Sequence, residues 1–301
     1  METAKEVFLL AVPKAAVIND LSGLGKCSLT AAIPVLAAMG VQACPLPTAV
    51  LSNQTGFSSY DCVDLTGHLA SFAAEWKKHG AHFDGICTGF LCSPGQVRLA
   101  QDFIDTFGGV HTPVLVDPVL GDNGKVYPVF DEAMCHAVKT LTARADVITP
   151  NLTEACILAG CDYPGAQAQT LEPIWEIARR LSETGPRTVV ITGVHQGDYI
   201  LNLGYQADSG QRLTVKTRRF GGGFSGTGDI LAAVLCGGLV RGDPLGPTLL
   251  KAAALLEAAA AETCADGSDP NDGIAFEHHL HLLIETGYKD LSSEKSQTAG
   301  E

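Results

Sequence analysis

Gly221-Gly222-Gly223-Phe224-Ser225-Gly226-Thr227-Gly228-Asp229 runs straight into an apolar stretch, Asp229 to Leu239, that the pattern predicts to be a helix. Two strand-like runs, Tyr199 to Leu203 and Leu213 to Thr217, stand just before it. Glycines let successive backbone N–H groups turn toward one point, and a helix N-terminus adds partial positive charge, so such a loop can hold an anion. A carboxylate at the helix start can then take a proton from a hydroxyl aimed at a bound phosphate. A second reading is open on these residues alone: a flexible loop with Asp229 as a helix cap.

Working outward, strands and helices alternate. Short apolar strands are predicted at 15–18, 85–88, 114–117, 147–149 and 188–192, and helices at about 28–39, 65–79, from Pro94, 131–141, 153–159, 173–182 and 245–264. Val41 to Val50 reads as a strand, but Pro45 and Pro47 put it at an edge or outside the sheet. The rhythm predicts an α/β fold with a mostly parallel central sheet, whose ligands collect at the carboxyl ends of the strands. Asp20, Thr88, Asp117, Thr149, Asn151 and Thr192 all fall there. With no repeat or linker, the 301 residues are expected to form one domain, with 1–12 as an extension and 289–301 as a polar tail.

The formal net charge of -13 opposes a polyphosphate ligand globally, so a local attractive site is required, and without a basic stripe nucleic acid is not an expected partner. The apolar N-terminal stretch is short and lacks a small-residue cleavage site, and no run approaches a membrane span. Ten dispersed cysteines without a CxxC pair fit reduced core thiols and a cytoplasmic location. The triplets at Asn53 and Asn151 that match glycosylation signals are then chance.

Two further clusters carry polar chemistry. Asp117-Pro118-Val119-Leu120-Gly121-Asp122 sets two carboxylates by a strand end, either to meet Mg2+ partly through water or as a solvated turn. In Thr149-Pro150-Asn151-Leu152-Thr153-Glu154, Asn151 or Thr153 can cap a helix, and Glu154 is a first-turn acid or a carboxylate acting on a metal through water.

Taken together, these stretches resemble the ribokinase superfamily over nearly the whole chain, through the GTGD motif at 226–229 and the Asn-x-x-Glu motif at 151–154. Within it the sequence is most similar to pyridoxal/pyridoxamine kinases, on INDLSGLGKCSLTAAIPVLAAMG (18–40), LPTAVLSNQTGF (46–57), CTGFL (87–91), VDPVLGDNGKVY (116–127), ITPNLTEA (148–155), VVITG (189–193) and FSGTGDILAAVL (224–235). The resemblance implies a ribokinase-like three-layer α/β/α sandwich and a phosphotransferase with an alcohol acceptor. ATP would donate its γ-phosphoryl group to the 5′-hydroxymethyl of pyridoxal, pyridoxamine or pyridoxine. It implies Asp229 as catalytic base and Gly226, Thr227 and Gly228 as the anion hole. Asp117 and Glu154 are implied near Mg2+ and ATP phosphates, with Asn151 of the same motif and Thr192 and Thr227 as further nucleotide contacts. Thr55 and Phe90 correspond to the pyridoxal pocket, and Asp122 and Tyr127 to a segment folding over the nucleotide. A monovalent cation such as K+ and a homodimer are further candidates, with 7–12 as an interface segment.

One position departs from the better-known members: Asn19-Asp20-Leu21 replaces a Gln-Ser-His start. Asp20 and Ser22, in an Asp-x-Ser-Gly pattern resembling hydroxymethylpyrimidine kinases, are expected to face the substrate ring, with Asp20 pairing a ring nitrogen or an aminomethyl group. Two patterns are decoys. Gly23-Leu24-Gly25-Lys26-Cys27-Ser28 fails the P-loop spacing, since its first glycine would fall on Asp20 and Lys26 is followed by Cys27. Glu277-His278-His279 lacks a partner spacing for a metal and reads as a surface helix. The alternatives carried forward are a hydroxymethylpyrimidine kinase, and a non-catalytic pyridoxal phosphate carrier that has no need of the GTGD carboxylate.

Overall fold

A computed structural model describes residues 11–165 and 170–284. The expectations for 289–301 and for most of 1–12 lie outside the described residues. The elements are β1 Lys14–Ser22, α1 Ser28–Ala38, β2 Gln42–Leu51, β3 Cys62–Asp64, α2 Thr66–Lys78, β4 Gly85–Thr88, α3 Pro94–Phe107 and β5 Val114–Val116. A small hairpin, β6 Gly121–Asp122 and β7 Lys125–Val126, precedes α4 Glu132–Thr142, β8 Val147–Ile148, α5 Leu152–Ala159 and α6 Glu172–Ser182. Then come β9 Thr188–Gln196, β10 Tyr199–Gln206, β11 Gln211–Arg218, α7 Thr227–Arg241 and α8 Leu245–Asp266, and a 3-10 segment at Phe276–Leu283.

Nine strands form one sheet in the order β11-β10-β9-β8-β5-β4-β1-β2-β3. The run from β9 to β2 is parallel; β10, β11 and β3 join antiparallel. Side chains of a strand alternate between faces, and β1 shows the consequence. Ala16 and Ile18 join the core formed with α2 to α6, while Ala15 and Val17 join the core formed with α1, α7, α8 and the 3-10 segment. This is the expected three-layer sandwich. Helices on both faces explain why the central strands read as continuous apolar runs.

The prolines of β2 sit where expected. Pro45 and Pro47 pair with Val17 and Asn19 of β1, and β3 covers only Ala49–Leu51 on the other flank. Over its proline half β2 is therefore the outer strand and needs no donor there.

The chain leaves β1 to one side for β2 and returns on the other side for β4, so strand order reverses between β1 and β4. A crevice at such a reversal, at the carboxyl ends of the strands, is where ligands bind in open α/β sheets. Asn19, Asp20, Gly89 and Asp117 stand at that end.

Candidate active site

Helix α7 begins at Thr227, and its N-cap is Gly226 in a left-handed conformation with no side-chain cap bond. Asp229 lies inside the first turn and is not the N-cap. The first N–H groups of α7 have no intrahelical partner, and that of Asp229 meets its own carboxylate. Gly226 is required on two counts: its φ is 80°, and a side chain there would begin 2.1 Å from the Lys26 carbonyl oxygen. The loop between β1 and α1 thus presses directly on the glycine turn.

Asp229 is partly buried and held from two sides. Asn19 donates from Nδ2 to its Oδ1 at 3.1 Å, and the Ser28 backbone N–H donates to its carboxylate. Burial raises Asp229 to about 6, against the lowering effect of these bonds. Asn19 is fixed in turn, because its Oδ1 accepts from the backbone N–H of Asp20 at 3.0 Å and of Phe90 at 2.8 Å. The close approach needs Gly89, where a Cβ would lie 2.4 Å from Asn19 Nδ2.

Beside this pair stands Asp117, whose Oδ1 accepts from Thr149 Oγ1 at 3.0 Å while Oδ2 lies toward Gly228. Burial, and then the charge of Asp229, raise Asp117 to about 7. A cavity of about 10 Å3 opens between Asn19, Thr88, Asp117 and Asp229. The fully buried Thr88 hydroxyl has no hydrogen-bond partner. Two raised carboxylates and an unpartnered hydroxyl together form a site short of positive charge, and the hard oxygen donors suit Mg2+.

A second group adjoins the first. Asn151 and Glu154 form a reciprocal capping box at the start of α5. Glu154 has both oxygens engaged: Oε1 accepts from Leu120 N at 3.0 Å and Oε2 from Asn151 N at 2.8 Å. Burial and the Asp117 charge raise it well above the usual carboxylate range. Asn151 Nδ2 donates to Gly121 O, and Thr153 Oγ1 accepts from Gly124 N, each at 2.8 Å. These bonds tie the β6–β7 hairpin to α5. Asn123 and Gly124 take φ 51° and 77°, as an Asn-Gly hairpin turn requires. Thr192 bridges to Asn151 in the strand direction and donates its N–H to Pro150 O at 2.9 Å.

A family model described as phosphomethylpyrimidine kinase matches residues 25–272. The chain belongs to this kinase family. A pyridoxine/pyridoxal/pyridoxamine kinase of Bordetella avium is 30% identical over 225 residues, covering 71% of this chain and 73% of its own. A Bacteroides thetaiotaomicron protein provisionally assigned as a phosphomethylpyrimidine kinase, crystallised with pyridoxal, is 40% identical at TM-score 0.86, covering 90% and 96% of the two chains. The pyridoxal kinase of Lactobacillus plantarum is 35% identical at TM-score 0.82, covering 91% and 97%. The kinase thus has the ribokinase-like fold and the pyridoxal kinase relatives that its motifs implied.

Most of the residues singled out in the kinase's sequence converge at one rim. Asp229, Gly226, Thr227, Gly228 and Asp117 form one group, and Asn151, Glu154 and Thr192 its neighbour. Phe90 joins an aromatic wall, its ring 5.8 Å from that of Phe130, which Tyr127 also contacts. Thr55 stands exposed on the loop after β2, which Gln54 fastens to Leu24 and Asn271.

Asp20 and Ser22, expected to face the substrate ring, are both buried. Asp20 is 3% exposed, and its two oxygens accept from Ser22 Oγ at 2.9 Å and Ser28 Oγ at 2.5 Å. It faces two buried hydroxyls, because burying a carboxylate demands such partners. The sequence marks Thr88 as a polar strand end but assigns no role to Asn19 or Ser28; of these two only Asn19 carries a signal, as a polar residue ending an apolar strand. In the two decoy stretches, Lys26 pairs with Glu277 at 3.0 Å, and His278 and His279, within the 3-10 segment, share Glu262. Among the described residues no group of three or more His, Cys, Asp or Glu is placed to hold a metal, and no helix is long and apolar enough to cross a membrane. The ten cysteines are free thiols.

Proposed function

We propose that this kinase transfers the γ-phosphoryl group of ATP to the 5′-hydroxymethyl group of B6 vitamers. The observation that carries the reading is the Asp229 carboxylate, fixed by the Asn19 amide and the Ser28 N–H within the first turn of a helix whose N-terminal N–H groups lack intrahelical partners. A hydroxyl brought to Asp229 gives up its proton there, while the transferring phosphoryl group rests on the N–H groups of Gly226, Thr227 and Gly228. Phosphoryl transfer needs little else from the protein beyond positioning and charge stabilisation.

Asp117 is the residue suited to hold Mg2+, since one of its oxygens lies toward the anion turn and its environment favours an added cation. Glu154 supports the same site through solvent and through the segment it clamps, because both its oxygens already accept backbone N–H groups. When bound, the ion neutralises developing charge on the phosphates. Asn151, Thr192 and Thr227 line the nucleotide side, and Phe90, with Thr55 on its loop, the vitamer side. The relatives named for pyridoxal, and the Bacteroides thetaiotaomicron protein crystallised with it, favour the B6 ring. A Rhizobium meliloti relative named hydroxymethylpyrimidine/phosphomethylpyrimidine kinase, 25% identical over 262 residues, supports a hydroxymethylpyrimidine as the second substrate class.

The test is competition. With ATP and Mg2+, with and without K+, pyridoxal, pyridoxamine, pyridoxine and hydroxymethylpyrimidine are offered singly and in pairs, and products are identified by mass. The expected result is phosphorylation of a vitamer that hydroxymethylpyrimidine inhibits weakly. Turnover of the pyrimidine alone would move the kinase to the other substrate class.

A further inference from the structure

Three bonds link residues far apart in sequence. Asp20 accepts from Ser28 Oγ at 2.5 Å, Ser28 donates its backbone N–H to Asp229, and Asn19, next to Asp20, donates its side-chain amide to the same carboxylate. Ser28 holds φ 50°, a left-handed conformation that is unfavourable for a residue with a Cβ. Cys27, the N-cap of α1, offers no side-chain cap bond. The hydroxyl bond to Asp20 is therefore the side-chain restraint that keeps residue 28 in this conformation and aims its N–H at Asp229. Asp20 is itself pinned by Ser22 and is buried together with Ser22, Ser28 and Asn19. Burying a carboxylate is unfavourable unless its partners compensate it, so an element kept only for stability would do better with an apolar side chain here.

We propose that Asp20 is a positioning residue for the phosphoryl transfer, acting through Ser28 to hold the Asp229 carboxylate in its reactive orientation. Asn19 and Ser28 are the two arms, and the Asn19-Asp20 dipeptide is the hinge from which both extend. The inference rests on Asp229 being the base.

Steady-state kinetics of Asp20→Ala, Ser28→Ala, the double variant, Asp229→Asn and Asp20→Ala/Asp229→Asn test it. A misplacement of the order of an ångström is expected to lower kcat about tenfold to hundredfold in Asp20→Ala and in Ser28→Ala, with KM for ATP and vitamer within about threefold of the parent. Because both act on one group, the double variant is expected to fall no further than the worse single one. Adding Asp20→Ala to Asp229→Asn is likewise expected to change nothing. Asp20→Asn keeps an acceptor for Ser28 and is expected to recover most of kcat; with Ser28→Ala it carries the test should Asp20→Ala fail to fold. Parental kcat in Asp20→Ala, or losses that multiply in either double variant, would overturn the inference alone. An unchanged kcat with raised KM for the vitamer would return Asp20 to the substrate. Parental kcat in Asp229→Asn would overturn the reading of the base and this inference with it.

Discussion

At the scale of single residues, the site is built by placing carboxylates where water is scarce. Asp229 at about 6 and Asp117 at about 7 are both raised, first by burial and then, for Asp117, by its neighbour. A base must be unprotonated to act, so kcat measured against pH is expected to fall on the acidic side as Asp229 takes its proton near 6; an acid limb near the ordinary carboxylate value of about 4 would show that burial does not govern it. The same shifts bear on stability. A group whose folded pKa is raised favours the fold at pH below its unfolded value, and that contribution is lost as pH rises through the folded value. For Asp117 the window runs from about 4 to about 7. Asp117→Asn is therefore expected to raise the melting temperature of the ligand-free protein at pH 8 while lowering activity and its response to Mg2+; a lower melting temperature would count against the charge shortage inferred here. Residue types were legible in the sequence, side-chain directions were not. Asp20 and Asn19 are adjacent, yet one turns to buried serines and the other to Asp229, 210 positions away. Nothing local in an apolar strand signals that choice.

At the scale of elements, the start of α5 holds the β6–β7 hairpin. Asn151→Ala removes the N-cap acceptor and the donor to Gly121 O together. The cap alone is worth about 1 kcal/mol, so a fall of that order in urea-unfolding stability is expected, with a rise in KM for ATP. A stability loss with unchanged KM would leave the box as a cap only. Gly226→Ala is expected to be more damaging, because the added methyl meets the Lys26 carbonyl oxygen. Elements were read well where a starting Pro or an apolar or Ala-rich run marks them, as in α3, α7 and α8. The capping box was visible as Asn-x-x-Glu, since its chemistry is local. The three-residue β3 was not visible, because its pairing with β2 is tertiary, and α7 starts two residues earlier than its apolar run suggests.

At the scale of the molecule, a parallel sheet covered on both faces brings the polar strand ends to one rim, and the reversal of strand order between β1 and β4 opens the crevice there. A chain of formal charge -13 still has to attract a polyphosphate to that rim. Added salt screens the long-range repulsion, so the association rate of nucleotide is expected to rise with ionic strength in stopped-flow measurements; a fall would mean that local cations dominate the approach. The most direct test of the account compares Mg2+- and ATP-dependent phosphorylation of pyridoxal by the purified kinase and by Asp229→Ala, with both proteins folded and both binding nucleotide. The account predicts turnover by the parent and a kcat lower by about 10² to 10⁴ in the variant. Equal turnover by the two, or tight binding of pyridoxal phosphate with no turnover by the parent, would contradict it.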